Sequence, residues 1–191
     1  MFNGLGLLTA PGRVMTPRSA SAQLVAAART RLAERPARVA DVGTGSGAIA
    51  IGIAIACPNA EVWATDVSGE AVALARANVR RHRLEDRVHV RCGDLLAPVP
   101  GPLDLIVANL PYIAASAAAE HPDLASEPAG AVFADGDGLG PYRRLVDAAA
   151  TRLADDGSLL LQLDRRVVAA SRAELPALRL ALGGAVSAAA A

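Results

Sequence analysis

The chain contains two short apolar segments, 37–43 and 61–65, that lie close together in the sequence. Each has the length and composition of a buried strand. Two neighbouring parallel strands need a crossover between them, and that crossover is usually a helix. We therefore predict a buried helix for the intervening stretch 47–57, although its alternation of isoleucines with small residues is by itself typical of a strand.

The alternation of extended and helical segments continues along the chain. Further helices are predicted at 19–34, 68–82, 140–154 and 165–175, further strands at 87–91, 103–109 and 158–163, and a loop at 114–138. This order predicts an α/β fold with a doubly wound, mostly parallel sheet. The tail allows either a short antiparallel hairpin that turns on Gly183 and Gly184 or an irregular end.

The composition limits the classes of function. The chain has 191 residues with 19 basic and 19 acidic side chains, which suits one domain and gives no electrostatic reason to expect a nucleic-acid or membrane surface. Aromatic residues make up only 3%, which disfavours a base-stacking platform. Cys57 and Cys92 lack the spacing of a disulfide framework or a zinc site. We therefore expect reduced thiols, no metal, no signal peptide, no membrane span and a cytoplasmic protein.

A glycine-rich turn, DVGTGSGA at 41–48, follows the first predicted strand. Glycines let a ligand approach the backbone, and the start of the following helix offers free N–H groups. Asp66 ends the next predicted strand, about 20 residues further on, at the spacing expected of a carboxylate that binds ribose hydroxyls. Together, Gly43, Gly45, Gly47 and Asp66 predict a site for a cofactor that contains a nucleoside.

The turn leaves two classes of cofactor open. Gly43, Gly45 and Ala48 satisfy the G-x-G-x-x-G/A pattern of dinucleotide sites, so a nicotinamide cofactor is one alternative. Asp41 favours the other, because a carboxylate is poorly placed beside a pyrophosphate and well placed beside a cation. A sulfonium cofactor with an amino-acid tail is such a cation.

Two further polar residues end later strands. Asp94 follows the third predicted strand and is a candidate acceptor for an adenine amino group, and Asn109 ends the fourth, in VANLPYI at 107–113. The carboxyl ends of parallel strands meet at one edge, where open α/β sheets bind their ligands. A planar amide or amine nitrogen there would donate its hydrogens to the Asn109 side-chain oxygen and the Leu110 carbonyl, with Tyr112 against its plane. Catalysis would then come chiefly from positioning.

Four segments, DVGTGSGAIA, ATDVS, GDLL and VANLPYI, resemble in their order and spacing the S-adenosylmethionine-dependent methyltransferases of the HemK/PrmC type. The best-known members of that family methylate a glutamine side-chain nitrogen in peptide-chain release factors. Stretches at 14–25 and 127–145 also resemble the family, and the resemblance covers about residues 14–163. It implies a Rossmann-like class I methyltransferase fold, S-adenosylmethionine as the cofactor and a protein substrate such as a release factor.

The turn, the strand ends and the resemblance together assign candidate residues. Those expected to bind the cofactor are Asp41, Gly43, Gly45, Gly47, Asp66, Asp94 and Asn109. Those expected to bind the acceptor nitrogen are Asn109, Leu110, Pro111 and Tyr112, and the expected catalytic residues among them are Asn109, Pro111 and Tyr112.

The chain departs from the family's pattern in three places. Leu110 replaces the first proline of the usual Asn-Pro-Pro-Tyr clamp, so we expect a clamp of somewhat lower rigidity. Ser19 and Ser21 stand in a stretch where an acidic residue is usual. The family's amino-terminal helical domain, which recognises the release factor, has no counterpart in residues 1–13.

We therefore predict an N-terminal segment at 1–18 and a methyltransferase domain at 19–191 that acts on a glutamine side chain in a protein. Three alternatives stay open at this point. The same fold methylates exocyclic base amines in DNA or RNA, the glycine pattern permits a nicotinamide-dependent oxidoreductase, and the short chain is compatible with an inactive remnant.

Overall fold

The computed structural model describes residues 4–18, 21–163 and 186–190. Its strands are β1 (Ala37–Val42), β2 (Ala60–Asp66), β3 (Val88–Cys92), β4 (Leu103–Ala108), β5 (Ile113–Ala114), β6 (Phe133–Ala134), β7 (Leu153–Leu163) and β8 (Val186–Ala190). Six of them form one sheet in the order β3-β2-β1-β4-β7-β8, in which all neighbours are parallel. β5 and β6 form a separate parallel pair. The predicted parallel α/β sheet is confirmed.

Helices cover both faces of this sheet. They are α1 (Ser21–Leu32), α2 (Ala48–Ala56), α3 (Gly69–Arg81), α4 (Ala129–Val132) and α5 (Gly140–Ala149), with 3-10 turns at Ala115–Glu120 and Pro122–Leu124. Successive strand residues point to opposite faces. Val39 and Leu105 accordingly join a core with α1, α2 and α3, whereas Ala40 and Ile106 join a second core with α5. No described helix combines the length and the apolar character needed to cross a membrane.

The isoleucine-rich stretch forms the helix α2, as predicted. Ile49, Ile51 and Ile53 are all buried, because this helix packs against the sheet and its neighbouring helices. A Cβ on Gly52 would lie 2.8 Å from Val25 Cγ2, so the glycine allows the close approach of α1. Burial around most of its circumference explains why the sequence of α2 lacks an amphipathic period.

Two predicted boundaries are wrong. The helix predicted for 140–154 ends at Ala149, and β7 already begins at Leu153. Its pairing with β4 shifts register between Leu153 and Ser158, so residues 155–157 lie in an irregular part of the strand rather than at a helix end. The predicted loop 114–138 contains short helical turns and the β5–β6 pair.

The last predicted elements lie largely outside the described residues. This applies to the helix at 165–175 and to the turn at Gly183 and Gly184. The described end of the tail, β8, is a strand that pairs with β7 in parallel, whereas the other strand of the predicted hairpin lies outside the described residues.

The N-terminal segment is tied to the glycine-rich turn by Asn78 of α3, which is fully buried. Its Oδ1 accepts a hydrogen bond from the Leu8 N–H at 2.7 Å, and its Nδ2 donates to the carbonyls of Leu8 and Ser46 at 3.0 and 2.9 Å. Ser46 belongs to the turn that follows β1. One amide therefore connects the start of the chain to the edge of the sheet where the site was predicted.

Candidate active site

The carboxyl ends of β1 to β4 open into a cavity of about 550 Å³, a volume typical of small-molecule sites. The predicted residues that line this cavity are Gly43, Gly45, Asp66, Asp94, Asn109, Leu110 and Pro111. The structure therefore brings most of the predicted site together at one edge of the sheet. Their contact with a cofactor stays a prediction.

The glycine-rich turn is fastened to the end of β2, because the N–H groups of Gly43 and Thr44 both donate to the Thr65 carbonyl at 2.9 Å. Gly43 and Gly45 have φ values of 72° and 56°, which favour glycine. A Cβ on Gly43 would lie 2.6 Å from Leu110 Cδ2, so the turn lies directly against the residue after Asn109. Gly47, also predicted to bind the cofactor, lies just before α2 and does not line the cavity.

Asp66 lines the cavity and is held by two backbone donors. Its Oδ2 accepts from the Gly45 N–H and its Oδ1 from the Ser68 N–H, both at 2.9 Å. Each carboxylate oxygen has a further lone pair, so the oriented group still has the capacity to accept ribose hydroxyls. The structure is thus compatible with the role predicted for Asp66.

Asp41 was predicted to bind the cofactor, but it does not line the cavity. It is fully buried beneath the turn, where its Oδ2 accepts from Thr44 Oγ1 at 2.7 Å and from the Ala50 N–H at 3.0 Å. Within the described part of the chain, no group hydrogen-bonds to its Oδ1. Burial raises the pKa of Asp41 from 3.8 to about 6. The carboxyl group supports the turn and the start of α2 from below rather than lining the cavity.

Asp94 lines the cavity as an exposed carboxylate that is already paired. Arg144 of α5 donates to its two oxygens at 2.5 and 2.6 Å. Such an exposed pair contributes little to stability. Because each oxygen has a second lone pair, the carboxylate can accept an adenine amino group without losing Arg144.

Asn109 follows β4, and its side-chain amide is oriented by α1. Its Nδ2 donates to the Ser21 hydroxyl at 3.2 Å. This contact engages the nitrogen and leaves the carbonyl oxygen Oδ1 as the acceptor of the predicted clamp. The backbone of Leu110 contacts the hydroxyl of Tyr142 in α5, with its N–H 3.0 Å from that oxygen.

A second cavity, of about 280 Å³, adjoins the first at the clamp. Asn109, Leu110 and Pro111 line both cavities, together with Met15 and Ala131. Tyr112 lines the smaller cavity and not the larger one. The predicted clamp therefore lies where a space of cofactor size meets a smaller space.

Sequence reasoning missed several residues of the site. Arg13, Val14 and Met15 of the N-terminal segment line the larger cavity, and the resemblance that begins at residue 14 was the available signal. Ser21 and Tyr142 were missed as partners of the clamp because each is far from it in the sequence.

The comparison with known families decides the class of protein. Residues 19–127 match the family described as "MTS: Methyltransferase small domain". The chain belongs to this family.

The curated relatives that the chain resembles include glutamine methyltransferases. The chain is 44% identical over 171 residues to the release factor glutamine methyltransferase of Deinococcus radiodurans, a match that covers 88% of this chain and 60% of that protein. It is 37% identical over 163 residues to the ribosomal protein uL3 glutamine methyltransferase of Burkholderia pseudomallei, covering 79% of this chain and 53% of that protein. The chain thus spans between about half and three-fifths of the length of these relatives.

Solved structures share the fold. A ribosomal protein L11 methylase from Lactobacillus delbrueckii subsp. bulgaricus superposes with a TM-score of 0.57 at 27% identity, covering 89% of this chain and 70% of that one. The hMettl16 catalytic domain, crystallised with MAT2A 3′UTR hairpin 1, gives a TM-score of 0.71 at 17% identity, covering 91% and 66%, and is a likeness of fold alone. The predicted Rossmann-like class I methyltransferase fold is confirmed.

Proposed function

We propose that the chain is an S-adenosylmethionine-dependent N-methyltransferase that methylates the side-chain amide of a glutamine in a protein. The observation that carries the proposal is that the clamp residues Asn109, Leu110 and Pro111 line both cavities. A cofactor in the larger cavity and an acceptor side chain in the smaller one would meet at these residues. We assign this activity to residues 19–191, with residues 1–18 as an N-terminal segment that contributes to the cofactor cavity.

The residues of the larger cavity fit a nucleoside cofactor. The turn at Gly43 has no room for a Cβ, so its backbone is open to a ligand. Asp66 is fixed by backbone donors in a position to accept ribose hydroxyls. Asp94 and Arg144 provide polar groups for an adenine edge. When bound, S-adenosylmethionine supplies an electrophilic methyl group on its sulfonium.

The clamp supplies orientation for the acceptor. Asn109 Oδ1 and the Leu110 carbonyl would accept the two hydrogens of a glutamine amide, which fixes the nitrogen with respect to the cofactor cavity. Pro111 restricts the backbone after Leu110, and Tyr112 lines the cavity in which the amide plane would lie. On gaining a methyl group the nitrogen would lose one N–H proton to water, and the clamp oxygens would stabilise the polarised N–H groups during this change. The rate enhancement then comes from positioning and electrostatics.

A protein acceptor fits this chain better than a nucleic acid. The chain has equal numbers of basic and acidic residues and 3% aromatic residues, whereas an enzyme that extracts a base from a duplex needs phosphate contacts and stacking partners. The names of the relatives specify release factors and ribosomal protein uL3 as acceptors. We propose a release factor as the first candidate acceptor and uL3 as the second.

The first experiment identifies the acceptor. The chain is incubated with labelled S-adenosylmethionine and, separately, a release factor, uL3, and matched DNA and RNA. We expect label on a glutamine of one of the two proteins, located by mass spectrometry. Label in nucleic acid, with none in either protein, would refute the proposed acceptor.

The second experiment separates cofactor binding from methyl transfer. Asp66→Ala should weaken cofactor binding in calorimetry about tenfold to hundredfold, because a charge-assisted bond is lost. Asn109→Ala should leave cofactor affinity nearly unchanged and remove most of the methyl transfer. Asn59→Ala, an exposed asparagine that precedes β2, is the matched control and should change neither. Loss of cofactor binding in Asn109→Ala would mean that Asn109 acts through the cofactor cavity, which it lines, and would refute its role as the clamp.

A further inference from the structure

We propose that Tyr142 is a positioning residue for methyl transfer, whose hydroxyl holds the backbone of Leu110 so that the Leu110 carbonyl is in place to accept a hydrogen from the acceptor nitrogen. The proposal rests on the function proposed above. It extends that function to α5, a helix that lies far from the clamp in the sequence.

The first reason is the place at which the sheet ends. β4 and β7 are paired in register as far as Ala108 and Leu161. Leu110 lies just beyond this pair and is only 7% exposed, so its N–H is removed from water and needs an acceptor. The hydroxyl of Tyr142 provides that acceptor at 3.0 Å.

The second reason is that the same hydroxyl reaches both strands. It lies 2.7 Å from the Gln162 carbonyl of β7 and 2.9 Å from the Leu110 carbonyl. A hydroxyl has one proton, so it donates to one of these oxygens at a time while it accepts from the Leu110 N–H. In either arrangement the Leu110 carbonyl keeps a lone pair for a ligand. Tyr142 thus connects the two strands where their own hydrogen bonds have stopped.

Tyr142 is itself well fixed. It is 4% exposed and packs in the same core as Leu145 and Leu161. Burial raises the pKa of Tyr142 above its ordinary value of 10, so the hydroxyl keeps its proton at neutral pH. The Leu110 side chain is held separately by its packing against Gly43, so loss of the hydroxyl should mainly change the orientation of the Leu110 peptide groups and leave the cofactor turn in place. Small misplacements of such groups reduce rates strongly.

The test begins with Tyr142→Phe, which removes the hydroxyl and keeps the ring. We expect kcat to fall about tenfold to hundredfold, with the KM and Kd for S-adenosylmethionine changed by less than about threefold. Ser158→Ala removes another buried hydroxyl, near the irregular start of β7, that accepts from Arg31 Nε at 2.7 Å. This control should lower stability and leave kcat unchanged.

A double variant tests whether Tyr142 acts through its contact with the Leu110 N–H. Leu110→Pro has no N–H, and on this background Tyr142→Phe should lower kcat by no more than about threefold. An equal loss of kcat on both backgrounds would overturn the role given to the Leu110 N–H, because the hydroxyl would then act only through the carbonyls of residues 110 and 162.

Hydrogen exchange of the Leu110 amide provides a measurement that needs no acceptor protein. We expect slow exchange in the wild type and exchange at least about tenfold faster in Tyr142→Phe, with the Leu105 amide unchanged. Fast exchange of Leu110 in the wild type would overturn the role of Tyr142. Failure of the wild type to methylate any acceptor would instead refute the function on which it rests.

Discussion

Replacing the buried Asp41 with asparagine is expected to change how the stability of the chain depends on pH. Burial raises the pKa of Asp41 from 3.8 to about 6, so between these values the folded chain holds a proton that the unfolded chain has released. Wild-type stability therefore falls as the pH rises through this window. A rise of about two pH units in pKa corresponds to about 3 kcal/mol of unfolding free energy.

Asparagine is neutral at every pH and does not show this loss. Interactions of its amide hydrogens change the free energy of unfolding by an amount that does not depend on pH, because the amide does not titrate. The free energy of unfolding of Asp41→Asn minus that of the wild type should therefore increase by about 2 kcal/mol between pH 4 and pH 7, since part of the total change already occurs below pH 4. Most of the change should occur between about pH 4 and pH 6, and the difference should level off once the folded-state group has also released its proton.

The measurement is urea unfolding followed by circular dichroism, at constant ionic strength, over that pH range. Asp147→Asn is the matched control, because Asp147 is an exposed carboxylate on α5. Its difference from the wild type should vary little with pH. If the Asp41→Asn difference is equally flat, burial does not hold a proton on Asp41, and the role given to this group beneath the turn is wrong.

Three further substitutions test contacts around the site. Asn78→Ala removes the buried amide that binds the N-terminal segment. We expect a loss of about 2–4 kcal/mol in unfolding free energy and faster proteolysis of that segment. Unchanged proteolysis would count against the contact. Gly43→Ala forces a positive φ and a Cβ against Leu110, so cofactor affinity in calorimetry should fall at least about tenfold, and full affinity would show that the turn relaxes. Ser21→Ala releases the Asn109 amide and should lower kcat about threefold to tenfold at unchanged cofactor affinity, whereas Ser21→Thr, which keeps the hydroxyl, should restore most of it.

Local patterns were sufficient to predict the main strands and helices as far as residue 163, but not β5, β6, α4 or the start of β7. Short apolar segments indicate buried strands. The need for a crossover between β1 and β2 predicted the helix α2, although the alternating sequence of α2 is typical of a strand. The same reasoning placed Asp66 and Asn109 at one edge of the sheet. Parallel strands bring their carboxyl ends together, so a residue's position at the end of a strand was enough to locate it.

Contacts between distant segments had to come from the tertiary structure. The direction of a side chain at the end of a strand depends on what packs against it, which is why Asp41 lies beneath the turn and Asp94 pairs with Arg144. The hydroxyl of Tyr142 reaches Leu110 from another helix for the same reason. Sequence periodicity records which face of an element is buried but not which remote residue meets it there. Packing of α1 and α5 against the sheet therefore decided which groups hold the clamp.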